Sequence, residues 1–157
     1  MTQSPSLMAS LDLQDVTHQL VQQFIAELQD MLDGLIAGDL SAQQSNVLNK
    51  IVGFFDTEMK RHHLEEEAHI FPVLLSKNDP VLREKVSMLK ADHDELRSRW
   101  RDLRAAIEQM ATLPEGDGHN LRQCFDRYSE CFAKHLLLEE SVQFSAEAKQ
   151  LFKSWDA

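Results

Sequence analysis

Four histidines and two glutamates are the residues of this sequence whose types and spacing could bind metal ions. They are His18, His62, Glu66, His93, His135 and Glu139. Each glutamate follows a histidine by four residues, a spacing that places both side chains on one helix face, one turn apart. Imidazole and carboxylate suit iron or manganese, and carboxylates can bridge two ions roughly 3.5 to 4 Å apart. Six donors exceed the four that one tetrahedral zinc ion uses, although a single zinc ion is an alternative.

The positions of the four histidines along the chain predict that they lie at one height in a helical bundle. In two antiparallel helices, residues align when the midpoint between them falls in the connecting turn. The midpoints of consecutive histidines fall near residues 40, 78 and 114. Each midpoint lies in a turn that glycine, proline and helix-capping residues predict independently. The four imidazoles should therefore converge on one layer.

Apolar residues recur with helical spacing along four segments, and no strand pattern is present in the sequence. The segments run from about residues 11 to 37, 41 to 76, 80 to 112 and 117 to 142. Gly38 is placed to end the first helix, and Ser41 forms a capping box that starts the second. Pro80 suits the first position of the third helix, and Asp117 can cap the fourth.

These elements predict an all-α fold, an up-down-up-down four-helix bundle with short turns. The chain has 157 residues, which is enough for one domain with an ordinary core. We expect a flexible leader over residues 1–9, the bundle over residues 10–150 and a C-terminal tail over residues 151–157.

The charge of the chain excludes several classes of partner. Sixteen Lys and Arg against 26 Asp and Glu give a formal net charge of −10, which argues against binding to nucleic acid or anionic membranes. The sequence has no long apolar run and no signal peptide, so we expect a cytoplasmic protein, a monomer or homodimer. Cys124 and Cys131 are seven residues apart on one predicted helix, too far for a disulfide.

Burial of the two carboxylates would require a positive counterpart. A single histidine on an apolar stripe is more often a hydrogen-bonded core residue than a metal ligand. An unpaired buried carboxylate, however, costs several kcal/mol, and no Arg or Lys lies on the inward stripes near this level. A bound cation best explains Glu66 and Glu139, while a purely structural polar layer is the alternative.

The order of these residues resembles the hemerythrin-like family, also called the HHE cation-binding domain. The matching segments are THQL around His18, HHLEEEAHIFP from His62, DHDEL around His93 and HLLLEE from His135. They span roughly residues 10–148. The resemblance implies a non-haem centre of two iron ions, in which Glu66 and Glu139 bridge the ions and the histidines are terminal ligands. An open coordination position would bind dioxygen or a related small molecule.

Two departures from the family pattern bear on the function. Oxygen-carrying hemerythrins have two histidines one turn apart on the third helix, but Leu89 and Arg97 occupy the positions four residues from His93. Relatives that repair damaged iron centres often have a cysteine-bearing N-terminal module, and no cysteine precedes Cys124 here. Both departures weaken the case for the corresponding functions, oxygen transport and repair of iron centres, but exclude neither.

We therefore expect a di-iron protein that binds or senses dioxygen, nitric oxide or peroxide, or takes part in iron homeostasis. The alternative is a di-iron enzyme that acts on peroxide or nitric oxide, or an iron-centre repair protein. Whether the chain is an enzyme is left open. A helical bundle that serves only protein interactions would instead contain no metal.

Several neighbouring residues are candidates for supporting roles. His69 could complete the metal shell, and Glu58 could orient an imidazole from outside it. His63 is expected to be solvated or to lie outside the first layer of ligands, because adjacent helix positions diverge by about 100°. Pro72 should kink or end the second helix, which would open a ligand entrance near Phe71.

Overall fold

The computed structural model describes residues 6–112 and 118–157, and these residues form helices without a β-strand. The helices are α1 (Leu7–Ala37), α2 (Ala42–Glu65), a π-helical segment (Glu66–Ile70), α3 (Phe71–Leu75), α4 (Pro80–Thr112), α5 (His119–Val142) and α6 (Ala146–Asp156). The predicted all-α fold is therefore confirmed. Helices α4 and α5 form the most extensive pairing, and α1 packs against α2, α5 and α6.

Local sequence signals set most of the helix ends. Gly38 adopts a left-handed conformation with a φ of 71°, and its N–H caps the carbonyls at the end of α1. The Ser41 hydroxyl accepts a hydrogen bond from the Gln44 N–H, and the Gln44 side chain accepts one from the Ser41 N–H, which completes the predicted capping box. The Asp79 carboxylate accepts a bond from the N–H of Val81 at the start of α4.

Gly118 precedes α5 at a position that requires glycine. Its φ is 71°, and a Cβ added there would lie 2.5 Å from the Ile36 side chain. A larger residue would be strained in this conformation and would also displace the Ile36 side chain. Asp117, the predicted cap of this helix, lies outside the described residues.

The predicted second helix is interrupted by the π-helical segment rather than by a kink at Pro72. The Phe71 N–H donates to the Glu66 carbonyl, five residues back, and Pro72 lies just inside α3. Proline has no N–H to donate, so the regular ladder is broken nearby, as expected. The Phe71 side chain is fully buried, which does not support an entrance at this position.

Two apolar clusters fill the interior on either side of a polar layer. The larger cluster is formed by α1, α2, α4 and α5 and includes Val21, Ile51, Leu103 and Phe125. The smaller is formed by the opposite ends of α1, α4 and α5, together with the end of the π-helical segment, α3 and α6. It includes Phe71, Leu89 and Phe152. Because the histidines occur between these apolar residues along α1, α4 and α5, burial of the clusters also buries the polar layer.

Helix α6 folds back onto the start of α1. The Asp156 carboxylate accepts hydrogen bonds from the N–H groups of Leu7 and Met8, at 2.9 and 3.0 Å. Phe152 is fully buried in the smaller apolar cluster. The helix crosses the predicted boundary between bundle and tail at residue 150. The predicted leader lies partly outside the described residues, and the division of the chain into three parts stays a prediction.

Replacing Phe152 with alanine should destabilise the protein by about 3 to 5 kcal/mol, because it removes a fully buried aromatic side chain and leaves a cavity. Chemical denaturation monitored by circular dichroism measures this loss. Trp155→Ala, on the same helix but 56% exposed, is the matched control and should change stability by less than about 0.5 kcal/mol. Equal effects of the two changes would show that α6 does not depend on this packing.

None of the helices among residues 6–112 and 118–157 combines the length and the apolar character needed to cross a lipid bilayer.

Cys124 and Cys131 are free thiols, as expected.

Candidate metal centre

All six predicted residues lie together in the polar layer between the two apolar clusters. They are His18 on α1, His62 on α2, Glu66 in the π-helical segment, His93 on α4, and His135 and Glu139 on α5. Their exposed fractions range from 0 to 5%. The layer therefore gathers donors from each of the four long helices and removes them from solvent.

Each carboxylate lies between two imidazoles that come from different helices. The two oxygens of Glu139 lie 2.7 Å from the Nε2 of His18 and 2.9 Å from the Nε2 of His135. The two oxygens of Glu66 lie 2.6 Å from the Nε2 of His62 and 3.6 Å from the Nε2 of His93. Both carboxylates thus span the layer from one pair of histidines to the other.

The donors form two groups that share the same two carboxylates. One group is His18, His62, Glu66 and Glu139, and the other is Glu66, His93, His135 and Glu139. Within each group, all donor atoms lie within 4.8 Å of one another. Two ions held in this way would each have two imidazoles and two bridging carboxylates, which is an arrangement typical of two-metal sites.

The hydrogen bonding of the layer also fits a metal better than a polar core. Several buried nitrogen and oxygen atoms that could bind a metal make no hydrogen bond of acceptable geometry, although they are close to one another. They are the Nε2 atoms of His93 and His135, Oε1 of Glu66 and both oxygens of Glu139. Leaving such atoms unpaired costs about 1 to 3 kcal/mol each. Lone pairs that converge on a common point, rather than on an N–H, are what metal coordination requires.

The two carboxylates change the proton affinities of the imidazoles around them. Burial by itself lowers the pKa of His135, but the nearby negative charge of Glu139, together with the hydrogen bond to Asp92, raises it to about 9. Burial likewise opposes the charged form of His62, yet attraction to Glu66 raises its pKa. The same attraction outweighs burial at Glu66 and holds its pKa well below the usual range. Without metal, protons thus balance the carboxylate charge.

Metal binding should therefore release protons, and the apparent affinity should rise with pH. The raised pKa of His135, about 9, means that this imidazole is protonated at neutral pH in the metal-free protein, and a ligand must lose that proton before it coordinates. We expect the increase in affinity to level off above pH 9. Calorimetric titrations in two buffers of different ionisation enthalpy measure the released protons. Equal heats in both buffers would contradict the expectation.

Two further polar side chains position the layer from outside, and the sequence analysis missed both. The Asp92 carboxylate lies 3.0 Å from the Nδ1 of His135, which orients the other ring nitrogen toward Glu139. The buried Gln143 amide donates a hydrogen bond of 2.9 Å to Glu66. Gln143 follows Glu139 by one turn, so helical spacing could have identified it. Asp92 could not be identified in this way, because it adjoins His93 and lies one turn from none of the six residues.

Replacing Asp92 with alanine should weaken metal binding by about 10- to 100-fold, because His135 loses the partner that fixes its orientation. A competition titration with a metal-binding dye measures the change. Asp94→Ala is the matched control: it is two residues away, its side chain is 76% exposed, and its partner is Arg97. If both variants bind metal equally well, Asp92 does not support the site.

Of the two alternatives expected for His63, exposure to solvent is wrong, because the residue is buried beside His93. Its ring stacks on that of His93, with centroids 4.0 Å apart and planes inclined by 10°. Burial and the proximity of His93 lower the pKa of His63 well below its ordinary value. The nitrogens of His63, His93 and His135 are close enough to hold an ion. Imidazole lone pairs lie in the ring plane, however, so two nearly parallel stacked rings are poorly oriented to bind the same ion. The stack instead restrains His93.

The other predicted supporting residues lie outside the layer. His69 and Glu58 are exposed, and the Glu58 carboxylate pairs with Arg61 at 2.7 Å. Neither residue contributes to the donor groups described above. Glu67 is half-buried, and its carboxylate lies 3.4 Å from the Nδ1 of His93. Of the acidic neighbours on this segment, Glu67 is therefore the one positioned to support an imidazole.

The family model of the hemerythrin HHE cation-binding domain matches residues 9–146. The chain therefore belongs to this family, whose members bind cations. It is also 24% identical, over 125 residues, to an uncharacterized protein of Haemophilus influenzae. That match covers 80% of this chain and 71% of the relative. No solved structure matches the chain.

Proposed function

We propose that the polar layer holds two iron ions and that the protein binds or senses dioxygen or a related small molecule. The observation that carries this proposal is the pair of four-donor groups that share Glu66 and Glu139. A purely structural polar layer would not require donor atoms that are buried without hydrogen bonds. A single zinc ion would use one group and leave the two histidines of the other without a role.

Each residue of the layer has a distinct part in this proposal. Glu66 and Glu139 would be the ligands shared by both ions, whereas His18, His62, His93 and His135 would each hold one ion. The four long helices run up-down-up-down, which brings one histidine from each to the same height. When bound, the iron ions supply reversible one-electron chemistry and open positions for a small ligand. The surrounding apolar clusters exclude water and other nucleophiles from these positions.

The third long helix favours sensing or turnover over simple oxygen transport. His93 is its single histidine, and the positions one turn before and after hold Leu89 and Arg97. One ion would therefore have fewer imidazole ligands than its counterpart in oxygen-carrying hemerythrins. Its coordination sphere would be more accessible. A sensor of dioxygen or nitric oxide, or a part in iron homeostasis, fits this shell. The same accessibility supports the second candidate function, an enzyme that consumes peroxide or nitric oxide, or a protein that repairs iron centres.

Rapid mixing of the anaerobic ferrous protein with dioxygen, nitric oxide or peroxide separates these functions. A stable optical adduct formed at one equivalent per chain supports binding or sensing. Consumption of many equivalents supports an enzyme instead. If the protein purified without chelators, and then supplied with ferrous iron, retains no metal after gel filtration, the proposed function is wrong.

The remaining proposals concern the partners, the location and the oligomeric state of the chain. With a net charge of −10, we infer that its partners are small uncharged molecules rather than nucleic acid or anionic membranes. A cytoplasmic location, as a monomer or homodimer, is the setting that we expect.

A further inference from the structure

A cavity of about 500 Å³ lies between α1, α5 and α6, next to the polar layer. We call it the α6 cavity. Its lining includes His18, a proposed metal ligand, together with apolar side chains such as Leu11 and Phe144. The cavity therefore connects the surface of the protein with one edge of the metal centre.

Charged residues from three helices surround the outer part of the α6 cavity. Asp12 and Asp15 come from α1 and Glu140 comes from α5, while Lys149 and Lys153 come from α6. All five side chains are exposed. Three carboxylates and two ammonium groups give this ring a net charge near −1, on a protein whose overall charge is −10. The field at the opening consequently favours cations over anions.

The inner part of the cavity ends at a side chain that can receive a cation. His18 is 4% exposed, its Nδ1 has no hydrogen-bond partner, and its Nε2 lies 2.7 Å from Glu139. On the side of His93, the fully buried ring of Phe71 stacks against the imidazole and covers it. Through the α6 cavity, a hydrated ion would meet carboxylates and then the His18 imidazole, whereas at Phe71 it would meet hydrocarbon.

We propose that the α6 cavity is the route by which divalent cations enter the metal centre. Asp12, Asp15 and Glu140 attract the ion and replace part of its water, and His18 then passes it to Glu139. Passage requires binding that is favourable enough for entry and weak enough for release. The two lysines meet this need because they offset most of the acidic charge. This inference rests on the metal centre proposed above and adds the path that loads it.

The rate at which the metal-free protein takes up ferrous iron under anaerobic conditions tests the route. The triple variant Asp12→Asn, Asp15→Asn, Glu140→Gln should load about 10-fold more slowly than the unmodified chain at physiological ionic strength, with the same final metal content. The matched control is Glu84→Gln, Asp126→Asn, Glu130→Gln, which changes net charge equally at exposed positions outside the cavity. Its rate should fall by less than about twofold, since distant charges are screened.

A second variant should change the loading rate in the opposite direction. A loss of stability could not explain both results. Lys149→Gln with Lys153→Gln makes the opening more acidic, so ferrous iron should load several-fold faster. Cobalt(II), whose visible spectrum reports coordination, should follow the same order of rates. Equal rates for the acidic-residue variant and its control would overturn the route, as would a lysine variant that loads more slowly. Failure of the unmodified chain to bind either metal would instead overturn the proposed function.

Discussion

Replacing Glu139 with glutamine should reduce the bound metal from two ions per chain to one or none. Both oxygens of Glu139 are used, one toward His18 and the other toward His135, so the change affects both donor groups at once. An amide has one oxygen and no negative charge, and cannot bridge two cations in the same way. Elemental analysis of the reconstituted protein after gel filtration measures the loss.

The neighbouring Glu140→Gln variant is the control for this experiment. It makes the same chemical change one position along α5, but Glu140 is exposed and outside the layer. Although Glu140→Gln is expected to slow loading, the final metal content should equal that of the unmodified chain. Two tightly held ions in Glu139→Gln would contradict the bridging role of this residue.

Removing the metal should lower the stability of the protein substantially. Two carboxylates with exposed fractions of 0% and four nearly buried imidazoles would then be balanced only by protons. When free metal exceeds its dissociation constant by about 1,000-fold, binding stabilises the folded state by about 4 kcal/mol. For a chain of this size, such a change corresponds to a decrease of about 10 °C in the unfolding temperature. Differential scanning calorimetry before and after chelation measures it.

The Glu139→Gln variant also serves as a control for metal removal. Because it should bind at most one ion, chelation should lower its unfolding temperature by less than that of the unmodified chain. Adding ferrous iron back should restore the unmodified chain alone. An unfolding temperature that is the same with and without metal would indicate that the polar layer is satisfied by protons and hydrogen bonds.

Helical spacing and turn positions were sufficient to predict which six residues meet. The midpoints between successive histidines depend on the turns, and Gly38 and Ser41 end and start helices where predicted. Since α-helices have a constant rise, correct turns imply nearly correct heights. The structure places all six side chains in one buried layer, while their roles as ligands stay a proposal.

The contacts around the layer were harder to predict because they depend on how helices are rotated. His62 and His63 are adjacent, so His63 was expected either to be solvated or to lie outside the first layer of ligands. Both are buried, since His62 faces His18 on α1 and His63 stacks on His93 of α4. A helix packed between two neighbours buries a face wide enough for adjacent residues. Sequence spacing on a single helix does not contain this information.

The ends of the chain and the second helix show a similar limit. Proline indicated an irregular helix, but the π-helical segment that precedes Pro72 depends on how Glu66 and Phe71 are packed. Helix α6 was expected only as a tail, because its eleven residues are too few to be a stable helix alone. Burial of Phe152 and the bonds from α1 to Asp156 stabilise it in the folded protein.

Anomalous scattering at the iron edge, from crystals of the iron-loaded protein, tests the central claim most directly. The account predicts two anomalous peaks roughly 3.5 to 4 Å apart, with a carboxylate oxygen of both Glu66 and Glu139 next to each peak. A single peak, or peaks away from these carboxylates, would contradict a two-iron centre bridged by Glu66 and Glu139.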